Sequence, residues 1–233
     1  MSEKNNHIDP DLKILIGGVL GKSSLLNKFE EMAAIAAVLI RQKKSRGRDT
    51  WKEFVQNEKS FAFAFSDGNP RHKLVSDSSD SDVVEKEPMA TAFKAVKHAL
   101  DGGKDYSNGG YFWDGDDIKS NYKNHFKVKK GIHFSDSSHN IFDIKESSVN
   151  YQKYKTTGRG KDKKKELVKE CEWVYESTAA YGGFYVIKKQ KTVIGKDKNP
   201  HKVVEEIEKF TGTIFWKMNK DYVDHFNYKK EYL

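Results

Sequence analysis

The residues with the clearest chemical capacity are two glutamates and a set of aromatic side chains placed among amides and acids. Glu31 stands at the mouth of the most apolar stretch of the 233-residue chain, "EEMAAIAAVLIRQ". Burial there would raise its carboxyl pKa toward a general acid's range, while a helix N-terminus would pull the other way. The plain alternative is a first-turn acid favoured by the helix dipole. Glu176, in "YESTAAYGG", is a second carboxylate, and sugar hydrolysis uses two. Tyr106, Tyr111 and Trp113 lie in "YSNGGYFWDG", a loop composition in which aromatic faces beside amides and carboxylates suit sugar rings. Phe61, Phe63 and Phe65 alternate as the core face of a strand would.

Other chemistries fit less well. Gly21-Lys22-Ser23 follows the apolar run "KILIGGVL", read as a strand, and suggests a phosphate loop, G-x-x-x-x-G-K-[ST]. The required first glycine falls on Ile16, and Gly17 to Gly21 is one residue too short, which leaves nucleotide binding a remote alternative. The histidines include no H-E-x-x-H, and Asp114, Asp116 and Asp117 lack calcium-loop spacing. Cys171, the single cysteine, is flanked by Glu170 and Glu172, which would raise its thiol pKa, and it has no internal disulfide partner. No metal and no cofactor is expected.

The formal charge of +8 favours acidic partners. The basic residues are scattered among acids without a nucleic-acid-binding motif, so nucleic acid is not an expected partner. No apolar run approaches the ~18 residues of a membrane span, so no membrane insertion is expected either. Asp9 and Asp11 precede the first apolar stretch where a secretory leader would be basic, which predicts no signal peptide. With 33% charged residues the chain could be disordered, but 12% aromatics is too rich for that. A folded domain with a thin core follows.

Several elements must position these residues. Met32, Ile35, Ala36 and Leu39 predict a helix over 27–42, apolar nearly all round, with Asn27 and Glu30 as a capping box. A second helix is predicted over 88–101, between Pro88 and Gly102–Gly103, and a short one over 50–57. Beyond 103 the pattern predicts loops and short strands, with "KTTGRGKDKKKE" as a solvated hairpin tip or mobile loop. No linker divides the chain. The reading is one α+β, mainly helical domain over 1–233, with a helical part at 12–115 and an extension of short strands and loops at 116–233.

Four pieces in order carry a resemblance: "EEMAAIAAVLIRQ" (30–42), "VQNEKSFAFAFSDG" (55–68), "AFKAVKHALDGG" (92–103) and "YSNGGYFWDG" (106–115). Together they resemble the SleB-like cell-wall hydrolases, and the remainder looks like the extension of type VI secretion effectors that attack peptidoglycan. The resemblance implies a lysozyme-like fold and a cleft for peptidoglycan, with Phe65, Ser66 and Asp67 lining it beside Tyr106, Tyr111 and Trp113. It also implies delivery by a specialised system into a target periplasm, and an immunity protein or a secretion-apparatus component as partner. One departure matters. Reading back without a gap from Arg41, the catalytic Glu of such enzymes falls on Lys22. A lysine cannot donate to a glycosidic oxygen as a carboxylic acid does. Either Glu31 is the general acid with Glu176 assisting, or the chain is a degenerate hydrolase that binds glycan or a protein.

Overall fold

The first helix is where sequence expectation and structure part. The computed structural model describes residues 7–61, 65, 68–158, 161, 163–194 and 200–226, and in it the run expected as a strand is helix α1, Pro10–Lys22. A short apolar run has no periodicity to separate strand from buried helix. The helix signals lie upstream instead: the Asp9 carboxylate accepts from the Asp11 amide at 2.7 Å, and Pro10 takes the first position. Leu15 through Leu20 are all buried. Gly17 and Gly18 permit this, because a Cβ on Gly18 would stand 2.0 Å from the Phe65 ring and one on Gly17 2.7 Å from His72.

Helix α2, Phe29–Ser45, is buried on nearly every side, as its composition predicts. The expected capping box does not form. Lys28 holds the cap position without a side-chain capping bond, and Asn27 adopts φ 54°, a left-handed conformation that Asn tolerates. Its side-chain oxygen accepts from Arg71 at 2.6 Å. Helix α3, Trp51–Asn57, is capped by Thr50, whose hydroxyl accepts from the Glu53 amide at 3.0 Å. Helices α4 (Pro70–Ser76), α5 (Asp80–Glu85) and α6 (Met89–Leu100) complete the helical layer, α6 lying where Pro88 and the following glycines place it. The two described residues of the aromatic run, Phe61 and Phe65, are not in a strand. Phe61 ends a 3-10 turn, Lys59–Phe61, and Phe65 has helical backbone and packs edge-on to Phe54 and His72, ring centroids 6.4 and 6.0 Å away. Phe63 lies outside the described residues.

The second half opens with β1 (Phe112–Asp114) and continues through α7 (Asp117–Ser120), α8 (Phe126–Lys130) and β2 (Ile132–His133). Strands β3 (Tyr151–Thr157) and β4 (Lys164–Cys171) form a separate antiparallel hairpin, and residues 155–157 and 164–166 of the basic segment lie within these strands. The surprise in length is β5 (Tyr175–Ile194) and β6 (Pro200–Met218), of 20 and 19 residues where short strands were expected. Helix α9, Lys220–Phe226, follows. The main sheet has the order β1-β6-β5-β2, with β6 antiparallel to both neighbours and β2 parallel to β5.

Period-two alternation assigns the two faces of this sheet to different cores. Ala179 and Phe215 join the helical core with Leu15, Met32, Ile35 and Val96. Ile214, Trp216 and Met218 point the other way, onto Ile118, Val128, Ile132, Phe142 and Val223. The architecture is α+β, and among the described residues no helix is long and apolar enough to cross a membrane. The α1 packing yields a test. Helix propensity favours Ala over Gly by about 1 kcal/mol, whereas overpacking costs about 1–3 kcal/mol. Gly18→Ala is therefore expected to lower the melting temperature by several degrees; a stabilised variant would show that Phe65 does not lie against α1.

Candidate functional site

Where α1 ends, α2 passes and β1 meets β6, a cleft of about 710 Å³ opens. Its walls comprise Lys22, Ser23 and Ser24 after α1, Gln42 and Arg46 on α2, and Phe61. Phe112 to Asp117, Phe126 and Lys127, and Thr211 to Thr213 on β6 complete it. Helix α2 holds the far wall in place through its C-terminal turns. The Arg41 guanidinium donates to the Gly110 carbonyl at 3.0 Å, to Asp105 at 2.8 Å and to the Ser107 hydroxyl. Gln42 donates to the Tyr111 carbonyl, and the Tyr111 hydroxyl returns a bond to the Arg41 carbonyl at 3.1 Å. The segment so clamped runs directly into β1, which pairs with β6 and presents Trp113 5.5 Å from the Phe61 ring.

The floor is an ion cluster. The Lys127 ammonium lies 2.8 Å from Asp114 Oδ1, and His125 Nε2 lies 3.4 Å from the same oxygen and 3.7 Å from Asp117 Oδ2. Burial alone would lower the His125 pKa, but hydrogen bonds to Asp114 and Asp117 outweigh it and push it up to about 9. The His125 bond in turn is the largest influence holding the Asp117 carboxyl below its usual range. Burial lowers the Lys22 ammonium from its ordinary value, with Asp117 and Asp114 opposing. Asp114, Asp117 and His125 place ligand atoms within 4.8 Å of one another, as a metal site would. The Lys127 ammonium pairs with Asp114 and the His125 imidazole lies near both carboxylates, while Asp114 Oδ2 and His125 Nδ1 are buried without a hydrogen-bond partner.

The sequence candidates scatter around this cleft. Glu31 is fully buried behind its wall, not in it. Its carboxylate accepts from the Ser24 amide at 2.9 Å, the Ser24 hydroxyl at 2.6 Å and the Thr213 hydroxyl at 2.6 Å. Ser24 and Thr213 line the cleft and screen it from Glu31. Glu176 sits on β5 opposite Lys217, whose ammonium is 3.8 Å away. Lys217 is four residues along β6 from Thr213, about 13 Å at ~3.3 Å per residue. Paired glycosidase carboxylates stand about 5–9.5 Å apart, so the structure does not bring Glu31 and Glu176 together as such a pair.

Of the three loop aromatics, only Trp113 reaches the cleft. Tyr111 is 2% exposed, and Tyr106 packs between Phe29 and His98. Phe65 belongs to the helical core, because α1 and α4 close over it. Ser66 and Asp67 lie outside the described residues. Gly21-Lys22-Ser23 falls at the C-terminal end of α1, the negative end of the dipole, whereas phosphates are held at helix N-termini. That corrects the phosphate-loop alternative. Burial raises the Cys171 thiol, in keeping with an unreactive cysteine. The sequence reading missed Gln42, Arg46, Phe126, Lys127 and Thr213, which no local motif marks and which only the pairing of distant elements assembles.

No family model, curated protein or solved structure matches this chain.

Two measurements check this geometry. Removing the carboxylate by Glu31→Ala leaves the buried Ser24 and Thr213 donors unpaired, and is expected to cost about 3–5 kcal/mol in urea unfolding. A near-neutral effect would place Glu31 at the surface. His125 gains charge-stabilising partners on folding, so its contribution is complete below pH ~6.5 and is lost as pH rises through about 9. The unfolding free energy from urea titration is expected to fall across that window by up to about 3 kcal/mol, and His125→Gln to flatten the fall.

Proposed function

We propose that the cleft binds a β-1,4-linked amino-sugar strand of the peptidoglycan type and does not cut it. The observation that carries this reading is the residue at the position where the resemblance calls for the catalytic Glu. Lys22 opens onto the cleft there, among Asp114 and Asp117. A general acid must enter the reaction protonated and give its proton to the leaving oxygen. Asp117 is held toward the ionised form by His125, Asp114 is paired with Lys127, and Glu31 is walled off. What remains suits binding. Trp113, Phe112, Phe61 and Phe126 offer ring faces to the apolar sides of sugars, while Gln42, Thr211 and Asp116 offer polar atoms to hydroxyl rims.

The test joins a pull-down with a clearing assay on purified, insoluble peptidoglycan. Wild type is expected to sediment with the polymer at low salt without clearing it, and Trp113→Ala to weaken retention by about tenfold, ~1.4 kcal/mol. Lys22→Glu restores the carboxylate beside two others, whose charges raise its pKa toward an acid's range, and is the variant expected to clear. Absence of retention at low salt overturns the reading. Clearing by wild type would instead return the chain to the hydrolases and send the search for its acid to Asp116.

A further inference from the structure

The cluster on the cleft floor leaves a buried carboxylate oxygen unmet. Asp114 is 7% exposed; its Oδ1 takes the Lys127 ammonium at 2.8 Å, while its Oδ2 is buried with no hydrogen-bond partner. Such orphaned atoms are uncommon in folded proteins, and each calls for a water, an ion or a function. The neighbouring His125 is equally buried, and its Nε2 lies 3.4 Å from Asp114 Oδ1 and 3.7 Å from Asp117 Oδ2. Strong charge-assisted bonds are shorter, about 2.7–2.9 Å. Two ligand atoms of one tetrahedral zinc, each ~2.0–2.1 Å from the ion, stand about 3.3–3.4 Å apart.

The backbone sets these three side chains in place before any ion arrives. Asp114 closes β1, where pairing with Ile214 of β6 fixes it. The Gly115 amide donates to Asp117 Oδ1 at 3.1 Å, which holds that carboxylate and leaves Oδ2 toward His125. The turn Tyr122–Asn124 brings the chain back, and the His125 amide donates to the Asn121 carbonyl at 2.9 Å. One ligand atom from each residue lies within 4.8 Å of the other two. The Asp117 side chain is 65% exposed, and both aspartates line the cleft, so the cluster is open to solvent on that side.

We propose that Asp114, Asp117 and His125 form a zinc site of three protein ligands, with the remaining position facing the cleft. One imidazole nitrogen and two carboxylate oxygens suit zinc, whereas magnesium and calcium take shells of oxygen. Three protein ligands leave the ion free to hold a water or an oxygen atom of a bound molecule. Charge limits the affinity. Lys127 is paired with Asp114 and Lys22 faces both aspartates, so two ammonium groups oppose the incoming dication. The ligands all belong to the cluster itself, and the site holds whether or not the cleft takes a glycan.

The test is calorimetric titration of the full chain with zinc chloride up to ~0.1 mM at pH ~8, since ligation replaces the ring proton and strengthens with pH. Magnesium chloride serves as the comparison. A single equivalent of zinc is expected to bind, and magnesium not to. Asp117→Asn alters a largely exposed side chain and should leave the melting temperature of the zinc-free chain unchanged. Loss of an outer-shell partner alone costs about 10–100-fold in metal affinity, so loss of this ligand should cost at least about 100-fold. Lys22→Gln removes an opposing charge and should tighten zinc binding by about tenfold, a gain that zinc held by histidines elsewhere on the chain would not show. No zinc uptake, equal uptake of magnesium, unchanged affinity in Asp117→Asn, or no tightening in Lys22→Gln would each overturn the assignment.

Discussion

A carboxylate with no access to water must have its lone pairs met by donors, and Glu31 meets that requirement across 182 residues of chain. One oxygen takes the Ser24 amide and the Thr213 hydroxyl, and the other takes the Ser24 hydroxyl. The corner between α1 and α2 is thereby tied to the middle of β6. Arg71 reinforces the same corner from outside, donating to the Ser24 carbonyl at 3.0 Å, the Ser23 hydroxyl at 3.0 Å and the Asn27 side chain at 2.6 Å. Burial lowers the guanidinium's pKa and the Glu31 charge opposes that. The helical layer cannot slide over the sheet without exposing or orphaning these groups.

With that joint in place, β6 serves two cores at once. Phe215 reaches the helices, while Ile214, Trp216 and Met218 reach the smaller layer. The cleft forms where the two layers diverge around the strand, and for that reason it draws side chains from both halves of the sequence. The ion cluster of Asp114, Asp117, His125 and Lys127 sits at that divergence. Lys127 is additionally ringed by Phe126, Tyr175 and Phe112 at 4.7, 5.6 and 5.8 Å. Asp114, His125 and Lys127 are buried there, while the Asp117 side chain is 65% exposed.

The formal charge is unevenly spread along the sequence: residues 151–171 and 183–212 hold 15 basic and 7 acidic side chains, and the rest of the chain holds 27 of each. The glycan that we propose for the cleft would meet ring faces and local polarity at short range, with little dependence on salt.

Much of the helical half was legible in the residues themselves. The all-round apolar pattern of α2, the punctuation of α6 by Pro88 and the following glycines, and the short α3 are local properties that neighbouring residues enforce. α1 was misread because six consecutive buried positions carry no period, and its caps had to outweigh β-branched content. Glu31 was legible as unusual, but its role was not, since its third donor lies on Thr213 near the other end of the chain. Tyr111 looked like a loop aromatic and became core because Arg41 and Gln42 pull its segment inward. Composition and local periodicity determined that this chain folds as α+β with a central apolar helix, and marked one basic segment as a hairpin tip or loop, but not the long β5–β6 hairpin. Tertiary structure alone decided which side chains share the cleft, because strand register and packing join residues whose separation in sequence leaves no local trace.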